Sequence, residues 1–214
     1  MRSWLQRSIL RGLNRLCADT AARLGGSLGV LAWRLGVRRT VANQVIARTL
    51  ALRGPARARV TRRAYATMGA NFVELWTIGG PDGPERHVQR ANPRWQAAIH
   101  RRHPALAYVG PHIGSWDMGA CGIAGNAGRF LVYAKAQHNP VVDRLINIQR
   151  ERLGCEVLFA DHGDRAGAVT AFRAMRAGAS LGLIADQRPG EHESVPALFL
   201  GQPAQCHQGP KFFS

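Results

Sequence analysis

The second half of the chain alternates short apolar runs with amphipathic segments, and this alternation restricts the possible folds more than any other feature. Four runs have the composition of strands, at residues 105–109, 130–134, 156–160 and 181–185. Apolar residues at helical spacing fill two of the intervals, over residues 141–153 and 165–177. This order predicts parallel strands joined by right-handed crossovers. We therefore expect an α/β fold, with a mostly parallel sheet, flanking helices and an N-terminal helical basic segment.

Polar residues that can carry chemistry follow the first and the fourth of these strands. Ligand sites of open parallel sheets lie at the carboxyl ends of strands, which directs attention to residues 110–117 and 186–190. His112 and Asp117 are five residues apart, so a carboxylate in the first turn of the next helix can reach back to the imidazole. That contact would fix the tautomer and make the other ring nitrogen a base for a substrate hydroxyl. Gly114 would permit close approach of the substrate to the backbone.

The first half of the chain carries most of the positive charge. Residues 1–102 contain 19 basic and four acidic side chains, whereas residues 103–214 contain ten and nine. The net charge of +16 predicts an anionic partner, such as nucleic acid, a membrane surface or an acidic protein. Residues 3–16 would form a helix with an apolar stripe on one side and an arginine stripe on the other. This arrangement is typical of an interfacial helix or of a solvated helix packed on the domain. We expect residues 1–78 to form a helical, membrane-docking segment.

A longer helix is predicted over about residues 56–78 of this basic half. Five apolar residues recur there at spacings of three and four, which predicts that they face the core: Tyr65, Met68, Phe72, Leu75 and Trp76. Three of them, Tyr65, Phe72 and Trp76, would cover an apolar cleft of the α/β layer.

Several classes of protein are disfavoured by what the sequence lacks. No run of 18 uncharged apolar residues exists, so an ordinary transmembrane helix is not expected, and the start of the chain does not resemble a secretory signal. No zinc-finger spacing or block of basic residues supports nucleic-acid binding. The cysteines lie far apart, which favours reduced thiols over a zinc site or a disulfide framework: Cys17, Cys121, Cys155 and Cys206.

The motifs of the second half resemble those of the bacterial lipid A biosynthesis acyltransferases, which include lauroyl and myristoyl transferases. Residues 112–117, His-Ile-Gly-Ser-Trp-Asp, are similar to the family's H-x-G-N-W-[ED], with Ser115 in place of asparagine. Three further segments resemble the family's in the same order: Asn139-Pro140 with Arg150, Asp186-Gln187, and residues 199–204 with Gly209-Pro210. The resemblance runs from about residue 35 to residue 210.

The resemblance implies transfer of an acyl chain from an acyl carrier protein thioester to a hydroxyl of a lipid A precursor, with no metal or other cofactor. It implies that His112 is the general base and that Asp117 orients it. Arg150 would supply positive charge near the developing oxyanion or an acceptor phosphate, and Asp186 would help to order the site. Four residues are expected to contact the substrate: Gly114, Ser115, Trp116 and Arg188.

The resemblance also implies partners and a location. The acidic acyl carrier protein would be the donor, an anionic glycolipid the acceptor, and the cytoplasmic face of the inner membrane the site of action, with peripheral attachment and no nucleic acid. Another glycolipid acceptor, such as a phosphatidylinositol mannoside, is an alternative. A non-enzymatic basic protein that binds nucleic acid or acts as a scaffold is another. Because family members are longer, we expect one domain overall, with an α/β core over residues 103–214 that is truncated at its C-terminus.

Overall fold

The computed structural model describes most of the chain, in two compact units of residues 1–83 and 84–214. The described residues are 12, 15–77, 88–89, 91–137, 139–159, 165–187, 189–190, 194–199 and 202–213. The interfacial helix predicted over residues 3–16 therefore lies almost entirely outside the described residues, and so does Arg188.

The first unit contains three described helices, α1 (Ala18–Arg34), α2 (Arg39–Leu50) and α3 (Gly54–Thr77). Glycines let α1 and α3 approach each other backbone to backbone. A Cβ atom at Gly25 would overlap the carbonyl group of Gly69, and one at Gly29 would overlap that of Tyr65. None of the helices in the described ranges is both long enough and apolar enough to cross a membrane.

The prediction for the apolar residues of α3 is right only in part. Leu75 and Trp76 are buried, whereas Met68 and Phe72 are 56% and 54% exposed. The physical reason is that α1 packs against a stripe of small residues on α3, centred on Gly69, and so leaves larger side chains beside the contact uncovered. Apolar spacing alone does not distinguish these two faces of the helix.

We expect Gly29→Ala to lower the free energy of unfolding of the helical unit by about 1–3 kcal/mol, because the added methyl group forces two backbones apart. The matched control is Gly26→Ala, where a Cβ would lie 3.7 Å from the carbonyl oxygen of Ala66, an ordinary contact. Hydrogen exchange of the amides of α1 and α3 measures the difference. Equal protection in the two variants would contradict the close packing.

The second unit has a central parallel sheet. Its elements in chain order are α4 (Pro93–Arg102), β1 (Ala107–Gly110), α5 (Trp116–Ala127), β2 (Phe130–Ala134), α6 (Pro140–Arg152), β3 (Cys155–Phe159), α7 (Arg165–Arg176), β4 (Ser180–Ile184), β5 (Ser194–Phe199), β6 (Gln202–His207) and α8 (Gly209–Phe213). Four strands pair in the order β1-β4-β2-β3, all parallel, and β5 and β6 form a separate antiparallel pair. The predicted α/β fold with a mostly parallel sheet is confirmed.

Helices cover both faces of the sheet, as the strand sequences require. Phe130 and Leu131 are consecutive on β2 and therefore point to opposite faces. Phe130 packs in a buried cluster with Cys121 of α5, whereas Leu131 packs in another with Ala171 of α7. Gly182 on the neighbouring strand leaves room for the Phe130 ring, since a Cβ atom there would lie 2.8 Å from it.

The strand register places two loops side by side at the carboxyl edge of the sheet. Gly110, the last residue of β1, is aligned with Ile184, the last residue of β4. The next residue after β4, Ala185, donates its backbone N–H to the carbonyl oxygen of Gly110 at 3.2 Å. The segments after β1 and β4 therefore leave the sheet together.

Candidate active site

The imidazole of His112 is held by the carboxylate of Asp186. His112 follows Gly110 by two residues and Asp186 follows Ile184 by two, so the aligned ends of β1 and β4 bring them together. The Nδ1 atom of His112 lies 2.6 Å from one carboxylate oxygen of Asp186. The backbone N–H of His112 donates to the other oxygen at 2.9 Å. Both carboxylate oxygens are thus engaged by a single residue, which restrains the ring and the loop.

The neighbours of the ring determine which nitrogen carries the proton. A carboxylate only accepts hydrogen bonds, so Nδ1 of His112 must donate to Asp186. The side-chain amide nitrogen of Gln187 lies 3.4 Å from Nε2, and an amide nitrogen only donates. The neutral imidazole therefore has its proton on Nδ1 and a lone pair on Nε2. That lone pair is what a general base requires.

The ring is fixed on its other side and remains accessible. The indole of Trp116 lies edge to face against the imidazole, with the ring centroids 4.8 Å apart. The side chains of His112 and Asp186 are 27% and 24% exposed, so a substrate can reach them from solvent. Trp116 is the first residue of α5, which explains how the helix start positions the histidine loop.

Asp186 is kept ionised by its contacts with the histidine. Partial burial opposes the charged form, but the hydrogen bonds from the ring and from the backbone N–H of His112 outweigh it. The pKa of Asp186 is therefore lower than its ordinary value. The carboxylate remains negative throughout the neutral range, where it can stabilise a protonated imidazole.

Asp117 does not occupy the predicted position against the imidazole. Its carboxylate instead accepts from Nε of Arg150 at 2.7 Å, and the two side chains are only 13% and 15% exposed. The orienting contact assigned to Asp117 is thus made by Asp186 in the structure. Spacing along the chain allowed a contact between residues 112 and 117, but α5 places Asp117 towards the end of α6, where the guanidinium group lies.

A hydrogen-bond network behind Arg150 was not anticipated. Asn147 accepts from a terminal nitrogen of Arg150 at 3.2 Å and donates to Asp143 at 3.1 Å. Asp143 also accepts from the backbone N–H of Gln137, just after β2, at 2.8 Å. Residues 143, 147 and 150 lie on one face of α6, at spacings of four and three, so this signal was present in the sequence.

The remaining predicted contact residues lie around the start of α5. Gly114 has a φ of +62°, a left-handed conformation that suits glycine, and no atom would obstruct a Cβ there. Ser115 is the N-cap residue, and its side chain makes no capping hydrogen bond. In the described ranges no group of His, Cys, Asp or Glu side chains is arranged to hold a metal ion.

Comparison with protein families relates the whole chain to one of them. The family described as bacterial lipid A biosynthesis acyltransferase matches residues 1–213. The match includes the histidine loop, α5, the network of α6 and the segment after β4. No curated protein matches the chain.

Proposed function

We propose that His112 activates a lipid hydroxyl for attack on an acyl thioester. The chain belongs to the bacterial lipid A biosynthesis acyltransferase family. As a member of this family the chain is an acyltransferase of lipid A synthesis. The observation that carries the proposal is the 2.6 Å contact between Nδ1 of His112 and Asp186, because it leaves Nε2 as an acceptor beside solvent.

The reaction follows from this tautomer. The Nε2 atom of His112 removes the proton of the acceptor hydroxyl while that oxygen attacks the thioester carbonyl carbon. The resulting tetrahedral intermediate collapses, the carbon–sulfur bond breaks, and the imidazolium returns the proton to the departing thiolate. An ester and a free thiol are the products. Asp186 stabilises the positive charge that the ring carries between these two proton transfers.

Arg150 and the start of α5 provide positive electrostatic potential to this reaction. Two of the five N–H groups of Arg150 are engaged by Asp117 and Asn147 in the described part of the chain. In this proposal the other N–H groups donate to an acceptor phosphate or to the oxyanion. The N-terminus of α5, at Ser115 and Trp116, adds the partial positive charge of a helix end. In this proposal Asp117 positions the guanidinium group of Arg150 and acts through it.

The donor and acceptor follow from charge and family. An acyl carrier protein is acidic, and the first half of this chain is strongly basic, so electrostatic attraction favours that donor. A lipid A precursor is the acceptor that the family indicates. Acylation of a lipid takes place at a membrane, so we place the enzyme at the cytoplasmic face of the inner membrane, attached peripherally.

The test is an assay of the purified full chain with radiolabelled acyl carrier protein thioesters. We expect ester formation on a lipid A precursor in detergent micelles, with the matching acyl coenzyme A as a poorer donor. Phosphatidylinositol mannoside is the second acceptor in the panel. If only that lipid were esterified, the acceptor would be the alternative glycolipid and not a lipid A precursor. Thioester hydrolysis without any acylated lipid would contradict it.

A further inference from the structure

Asn147 of α6 bridges two charged groups that are too far apart to touch. Asp143 and Arg150 are seven residues apart on one face of this helix, which separates their backbones by roughly 10 Å along its axis. The side-chain nitrogen of Asn147 donates to Asp143 at 3.1 Å, and its side-chain oxygen accepts from Arg150 at 3.2 Å. One neutral side chain therefore links a carboxylate to a guanidinium group.

The two neighbours fix the orientation of the Asn147 amide. A carboxylate only accepts hydrogen bonds and a guanidinium group only donates them, so the amide nitrogen must face Asp143 and the oxygen must face Arg150. The asparagine is buried, and a buried polar side chain is costly unless its donors and acceptors find partners. Neither an ionised aspartate nor a leucine, which are close to it in size, can donate at one end and accept at the other. The bridge therefore requires this type of residue.

Asp143 is itself anchored to the loop after β2. One of its carboxylate oxygens accepts from the backbone N–H of Gln137 at 2.8 Å, and the other accepts from Asn147. The strand β2 is parallel to β4, so its carboxyl end lies at the same edge of the sheet as Asp186. The bridge thus begins on a backbone group at the edge of the sheet that carries the candidate active site.

At its other end the bridge gives the guanidinium group of Arg150 a second point of attachment. Asp117 holds the Nε atom at 2.7 Å. A single contact at Nε leaves the group free to turn about that hydrogen bond, whereas the second contact, from a terminal nitrogen to Asn147, fixes its plane. Because the N–H groups of a guanidinium form a rigid fork, a fixed plane also fixes the direction of every other N–H bond of Arg150.

We propose that Asn147 is a positioning residue for acyl transfer, which holds the plane of the Arg150 guanidinium in the orientation that the reaction uses. Asp143 supports it from the loop after β2. The inference rests on the proposed function, in which Arg150 donates to an acceptor phosphate or to the oxyanion. Donors that are already aimed at developing charge stabilise it without reorganisation during the reaction. Asn147 acts through the arginine rather than on the substrate.

The test is a double-mutant cycle on acyl transfer by the full chain. Asn147→Leu is similar in volume and removes both hydrogen bonds, and we expect it to lower kcat/KM about 10- to 100-fold. Arg150→Lys keeps a positive charge beside Asp117 but lacks the fork that makes the two-point contact. In the Arg150→Lys background, Asn147→Leu should lower kcat/KM by less than about twofold, because the residues act as one unit. Equal losses in the two backgrounds would overturn the proposal.

Ile146→Val is the matched control for a loss of stability. Ile146 is the preceding residue of α6, and its side chain is apolar and buried. The loss of one methyl group should lower the melting temperature and leave kcat/KM at the wild-type level. This outcome separates an effect on folding from an effect on Arg150.

Asp143→Asn is a second variant, chosen because it conserves shape within the helix. Its one oxygen cannot replace both carboxylate oxygens, so the contact with Gln137 or the one with Asn147 is lost. We expect kcat/KM to fall about three- to tenfold. A wild-type rate in both Asp143→Asn and Asn147→Leu would overturn the proposal.

A further measurement does not depend on catalysis. Nitrogen NMR of the Arg150 side chain, with signals assigned by their absence in Arg150→Lys, reports how fast the guanidinium group rotates. Rotation should be about fivefold faster or more in Asn147→Leu than in the wild type, because one of two contacts is lost. Equal rotation rates would overturn the proposal. If rotation changed as expected but the wild type transferred no acyl group, the two-point contact would stand and the proposed function would be contradicted.

Discussion

His112→Ala is expected to lower the rate of acyl transfer by about 10²–10⁴-fold, since in the proposed mechanism it removes the group that takes the proton from the acceptor hydroxyl. The alanine leaves the sheet intact, because His112 lies in a loop and its side chain is 27% exposed. Steady-state assays with saturating acceptor measure the change as a fall in kcat. A fall confined to KM would instead indicate a role in binding.

The matched control is His103→Ala. His103 is also exposed and belongs to the same unit, at the end of α4. Among the described residues its one hydrogen bond is from its backbone N–H to the carbonyl oxygen of Ile99. We expect this variant to retain the wild-type rate. A wild-type rate in His112→Ala, with thermal unfolding unchanged in both variants, would mean that another group is the base.

Asp186→Asn is expected to lower kcat by about 10²–10⁴-fold, the size of a general-base contribution, because in the proposed mechanism it disables the imidazole. The substitution conserves shape but replaces an obligate acceptor at Nδ1 of His112 with a group that can donate. The ring can then carry its proton on Nε2, where it no longer acts as a base. The positive charge formed during the reaction also loses its partner.

The comparison that identifies the partner of the imidazole is Asp117→Asn. Because the Asp117 carboxylate contacts Arg150, we expect nitrogen NMR of the His112 ring to report the same tautomer in this variant as in the wild type. In Asp186→Asn the proton should move from Nδ1 towards Nε2. If the tautomer changed in Asp117→Asn and not in Asp186→Asn, the result would support the contact between Asp117 and His112 that the sequence spacing predicts.

The pH dependence of this contact follows from the direction of the pKa shift. Folding lowers the pKa of Asp186, so its pair with His112 stabilises the native state above the ordinary pKa of an aspartate, about 3.9. That contribution is lost as the pH falls through the lower, native pKa. In the neutral range the Asp186 carboxylate therefore stays ionised. A change of pH in that range does not remove its charge, so the substitution is the way to test what the charge does.

The strands and helices of the second unit were predictable because their signals are local. The run at 130–134 coincides with β2, and the helix predicted over residues 165–177 coincides with α7 to within one residue. Apolar alternation and helical spacing depend on neighbouring residues only. The hairpin of β5 and β6 was not predicted, since Pro196 and Pro203 within these strands weaken a strand pattern.

The exposed faces of the first unit were less predictable, because they depend on contacts between residues that are far apart in the sequence. The spacing of Met68 and Phe72 indicates an apolar face but not which face of α3 receives α1. That choice depends on Gly25 and Gly29, which allow the backbones to touch. Small residues carry little hydropathy signal, yet they decide where two helices meet.

Local patterns in the sequence were enough to predict the α/β class, the position of His112 after a strand, and the family to which its motifs point. The carboxylate that contacts the imidazole could be identified from the three-dimensional fold but not from the sequence. Asp186 is 74 residues away along the chain and reaches His112 because β4 inserts beside β1 in the order β1-β4-β2-β3. Strand order results from the packing of helices on both faces of a sheet, an interaction among distant residues. Spacing along the chain, which suggested Asp117, contains no information about it.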